Sequence, residues 1–117
     1  MPGEFLLDTG AYGAMIDLDV AMELHLADRG MREIHGIHGY GALGQYLAKL
    51  ILPAKDADGG SCLFEEVMEC VAVPGLAEKS RENEAQVIGI LGRIFLQSTL
   101  LEIDGASGRI SLFIRRP

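Results

Sequence analysis

A chain of 117 residues makes one domain, and its 49% hydrophobic and 23% charged residues describe a packed fold rather than a disordered segment. A formal net charge of -7 makes it a poor partner for nucleic-acid phosphates or an anionic membrane face. No run of about 18 apolar residues and no signal peptide is visible, so the expectation is no membrane contact by this chain, with the cytoplasm favoured.

Glu4-Phe5-Leu6-Leu7 reads as the end of a buried strand running into a turn at Asp8-Thr9-Gly10. Ala14-Met15-Ile16 is a second short apolar run. Asp17 or Asp19 can cap a helix through about Ala27, with Val20, Ala21 and Leu24 on one face, and Gly30 ends that unit. From Glu33 to Leu52 the pattern predicts a long hairpin. Its tip is rich in glycine, with Gly36, Gly39, Gly41 and Gly44, and its second arm places Tyr46, Ala48, Leu50 and Leu52 on one face. Residues 56–60 form a polar turn, and Ser61 to Val73 reads as one or two strands. A charged loop with a helical turn follows, then a short apolar strand at Val87 to Leu91. Gly92 opens a short helix, Arg93 to Ser98. A terminal hairpin pairs Leu100–Ile103 with Ile110–Ile114. The fold class is mainly β with one or two short helices, closest to a small closed barrel. The two cysteines, Cys62 and Cys70, are too few for a disulfide scaffold and read as reduced strand residues.

The chemistry concentrates at Asp8. A strand ending in Leu-Leu-Asp-Thr-Gly-Ala places a carboxylate at a tight turn with apolar walls, where Gly10 permits close approach and Thr9 can brace the turn. Alone, the tripeptide is more often an ordinary turn. Two further segments change its meaning: Ile34-His35-Gly36-Ile37-His38-Gly39-Tyr40 with Gln45-Tyr46, and Val87-Ile88-Gly89-Ile90-Leu91-Gly92-Arg93 with Phe95-Leu96. In this order the three segments resemble the retropepsins, the retroviral-type aspartic proteases, and their bacterial relatives.

The resemblance implies a single closed acid-protease barrel over residues 1–117 and an aspartic endopeptidase without cofactor or metal. Asp8, Thr9 and Gly10 would be the catalytic turn. Gly36, Ile37, His38 and Gly39 would form a flap over the substrate, and Ala11, Met15, Ile34, Ile88 and Ile90 would line side-chain subsites. The family carries more strand before its catalytic motif, where seven residues precede Asp8, and an acidic partner for the Gly-Arg arginine where this chain has Tyr12 and Gly13. The family mechanism needs two aspartates. Neither Asp58-Gly59-Gly60 nor Asp104-Gly105 repeats the motif, so the expected partners are a second copy of the chain and a peptide or protein substrate. The alternative is a catalytically weak or inactive module of the same fold that binds peptides or dimerises. A metal site at His25, His35 and His38 is the weaker reading of those histidines.

Overall fold

Eleven elements follow one another in a computed structural model that describes residues 3–36, 39–81 and 86–115. They are β1 (Glu4–Leu7), β2 (Ala14–Asp17), α1 (Leu18–Glu23), β3 (Ala27–Gly36), β4 (Gly39–Lys55), β5 (Ser61–Val73), α2 (Leu76–Arg81), β6 (Val87–Leu91), α3 (Arg93–Leu96), β7 (Thr99–Asp104) and β8 (Arg109–Ile114). The chain is mainly β, as its alternation and turn residues predict.

Period-two alternation builds the centre. β4 and β5 pair antiparallel from Gln45 opposite Val71 to Lys55 opposite Ser61. One face of that ladder carries Tyr46, Ala48, Leu50, Leu52, Phe64, Met68 and Cys70, all on or against the core. Ile51, Leu63 and Val67 point the other way and are exposed. The core is completed by Ala14, Ile16, Val20, Ala21, Ala72, Leu91 and Phe95. Both cysteines are free, and burial pushes the Cys70 thiol up to about 11 because a thiolate would lose its hydration there.

Six strands form one sheet in the order β1-β6-β2-β5-β4-β3, while β7 and β8 pair only with each other. β1 runs parallel to β6, and β2 is antiparallel to β6 but parallel to β5. The expected closed barrel is therefore corrected: among the described residues the large sheet is open, with β1 and β3 at its edges. Alternation dictates which side chains face inward, but closure requires two remote edges to meet, and no local pattern encodes that.

Three boundaries also differ. The helix after Asp17 ends at Glu23 instead of reaching Ala27, because His25 adopts a left-handed φ of 51° that breaks the helical path. The hairpin arm begins at Ala27, not Glu33. Gly30, read as a stop, sits in a bulge within β3, with φ of 92° and its N–H donated to Asp28 Oδ1 at 2.8 Å. The helix at Arg93 is one turn, ending at Leu96.

Asp17 ties the helices to the sheet. It is 3% exposed, and its two carboxylate oxygens accept from Val20 N–H at the start of α1 (3.2 Å) and from Ala77 N–H in α2 (3.0 Å). Each bond satisfies a donor that a helix start leaves without an internal partner.

The chain is extended for its mass. Its radius of gyration is 15.1 Å where about 13.4 Å is typical of this length. It exposes 8454 Å² where a folded monomer of this mass exposes roughly 6,200 Å². Apolar residues contribute to that excess in pairs: Leu100 faces Phe113, and Ile103 faces Ile110, across the β7–β8 hairpin, all four at least 41% exposed.

Candidate active site

Parallel pairing of β1 with β6 brings two strand ends side by side, and the candidate site lies where both strands stop. Leu7 pairs with Leu91, and the Asp8 N–H continues the ladder to Leu91 O at 3.0 Å. The next residues turn back. Ala11 N–H donates to Asp8 O at 3.2 Å, and Gly10 N–H donates to Asp8 Oδ1 at 2.8 Å. The Asp8 carboxylate is half-buried, with Thr9 and Gly10 exposed beside it. Gly10 does not have a left-handed φ, so the turn itself does not demand glycine. What it supplies is room: a β-carbon there would lie 3.1 Å from Asp8 Oδ1.

The start of α3 is laced onto the same loop through backbone. Arg93 N–H donates to Ala11 O and Ile94 N–H to Tyr12 O, both at 2.9 Å. Gly92 lies so close that a β-carbon would stand 2.5 Å from Gly13 O and 2.6 Å from Ala11 O. Only glycine fits there. The Arg93 guanidinium rests 5.9 Å from the centroid of the Tyr12 ring, so an aromatic face stands where the resemblance implies an acid. β3 also comes near this loop: a methyl group on Gly13 would be 3.8 Å from Arg32 Nη1.

Of the expected subsite residues, Ala11 lies in the loop itself, half-buried. Met15 and Ile90 are direct partners between β2 and β6, and Ile90 also pairs with the exposed Leu6 of β1. Ile88 lies near Met15 but does not pair with it. It falls where the β1–β6 register slips, packs against the core, and lines a partly open cavity of about 150 Å³ with Phe5, Met15, Ile16 and Cys70. Ile34 is half-buried on β3 opposite Gly41, and the backbones of Gly36 and Gly39 pair at the end of the hairpin. Ile37 and His38, expected at the flap tip, lie outside the described residues. Sequence reasoning missed Arg32 and the Arg93–Tyr12 stack. Neither has a local signal, since each depends on segments that only the sheet order brings together. The chain matches no protein-family profile, and no curated protein or solved structure matches it.

Proposed function

We propose that this chain is one protomer of an aspartic endopeptidase of the retropepsin kind, whose site forms when two Asp8 carboxylates meet across a twofold axis. Two carboxylates in contact cannot both ionise, so they hold one proton between them. The ionised one takes a proton from water as that water attacks the scissile carbonyl carbon, and the protonated one donates to the carbonyl oxygen. Collapse of the resulting tetrahedral centre releases an amine and a carboxylic acid.

The observation that carries this reading is the lacing of the Asp8-Thr9-Gly10 turn to the Leu91-Gly92-Arg93 strand end. It holds the carboxylate at a fixed place by main-chain bonds, leaving the side chain half-exposed for a partner. The surface excess and the exposed Leu100–Phe113 pair on one face of the β7–β8 hairpin offer apolar surface for a second copy, and both outer edges of that hairpin are unpaired among the described residues. Peptide-library cleavage near pH 5 tests the reading, with sedimentation at micromolar concentration beside it. Cleavage insensitive to chelators, lost to background in Asp8→Asn, and a dimer are the expected results. Cleavage that persists in Asp8→Asn, or a strictly monomeric active chain, would sink it. The second reading, a peptide-binding module without catalysis, draws on the Arg93–Tyr12 stack in place of an ion pair. Its signature is peptide binding with no cleavage at any pH.

A further inference from the structure

Two guanidiniums come near the loop from Asp8 to Gly13, in a chain with 17 acidic and only 10 Lys and Arg residues. Arg93 lies over Tyr12, and Arg32 reaches Gly13 from the hairpin. Among the described residues the ion pairs are Arg29 with Glu69 and Lys49 with Glu65, so neither Arg32 nor Arg93 has a carboxylate within 4.0 Å. The two differ in setting. Arg93 is exposed and already occupied by an aromatic face, whereas Arg32, in the middle of β3, is half-buried beside the loop. A half-buried guanidinium with five donors and no anion is a receptor for one. Its Nη1 lies 3.8 Å from where a β-carbon on Gly13 would stand, five residues along the chain from Asp8.

We propose that Arg32 is a specificity determinant that selects peptides presenting a carboxylate on the Gly13 side of the Asp8 turn. The inference rests on the peptide-handling reading above and narrows its substrate class to acidic peptides. The carboxylate has two possible sources, an Asp or Glu side chain or a free peptide C-terminus, and both offer the planar oxygen pair that a guanidinium grips bidentately.

Matched peptide sets decide it, with Glu or Gln placed in turn at each position around the cut and each made with a free or an amidated C-terminus. They are scored by cleavage with the intact chain and by binding to Asp8→Asn. The Glu peptide is expected to be favoured about tenfold at one position, the scale of one charge-assisted contact at a half-buried site. That ratio should fall to about one in Arg32→Gln, shrink but stay above one in Arg32→Lys, which keeps the charge and loses the bidentate fork, and be unmoved in Arg93→Gln. If the free C-terminus is what matters, amidation and not Glu→Gln will carry the tenfold loss, with the same dependence on Arg32. Equal handling of all charged and neutral peptides, or a preference that persists in Arg32→Gln, overturns the Arg32 assignment and leaves the protease reading standing. A chain that neither cuts nor binds any peptide overturns both.

Discussion

At the Asp8 end of the molecule backbone meets backbone, while along the β4–β5 ladder side chain meets side chain. Around Gly92 the contacts are carbonyl oxygens within 2.6 Å of where a β-carbon would be, and nothing there can shift without moving a strand end. Along β4 and β5 the core face is made of Leu, Met, Phe and Ala side chains that can repack, and the outer face carries exposed Ile51, Leu63 and Val67. Precision is concentrated where the carboxylate must be placed, and tolerance where only burial matters.

The sharpest way to break this contrast is Gly92→Ala. One methyl group forced against Gly13 O and Ala11 O should cost about 3 kcal/mol or more, read as a lower urea midpoint, and should abolish any Asp8-dependent cleavage. A matching change on the tolerant side, Leu63→Ala at an exposed position, should leave the midpoint nearly unmoved. Asp17→Ala comes next. It orphans the donors of Val20 and Ala77 together and should cost about 2 to 4 kcal/mol by urea titration, with Asp17→Asn losing less because one oxygen remains.

Cys70 sharpens the comparison through pH. Its folded value is raised above the ordinary 9.0 to about 11, so the unfolded thiol ionises first as pH rises. The contribution is fully present below pH 9 and is lost between about pH 9 and 11, a fall of about 2 kcal/mol that Cys70→Ala should remove from the alkaline stability curve. The same burial should make the half-buried Cys62 react with a thiol reagent well before Cys70. The smallest effect belongs to the outer face of the ladder. Lys49 and Glu65 are 3.4 Å apart but about half exposed, so Lys49→Ala should change stability by no more than about 0.5 kcal/mol.

Much of the strand content was legible because it is local. Alternation from Tyr46 to Leu52 assigned the core face correctly, Val87–Leu91 was readable as a short strand, and the terminal hairpin fell around its Asp-Gly turn at 104–105. Asp17 could be read as a cap for α1, but not as a cap for α2, since Ala77 is 60 residues away. The left-handed His25 carried no warning, because a positive φ at a non-glycine residue is set by what surrounds it. At the candidate site, Asp8, Gly92 and Arg93 stood out as residues. What surrounds them, Tyr12 under Arg93 and Arg32 against Gly13, is a product of strand order.

The bulge in β3 has a consequence for how this hairpin can change length. Two residues, Arg29 and Gly30, stand opposite Gln45 alone, so the strand carries one surplus residue while the pairs on either side, Asp28 with Tyr46 and Met31 with Gly44, stay in step. Deleting one residue at this spot would restore an even count and leave every side chain from Met31 to Ile34 on its present side. The same deletion anywhere from Met31 to Ile34 would reverse the residues beyond it. The surplus residue thus marks the place in the arm where a lineage could shorten it by one and still aim Arg32 at the loop.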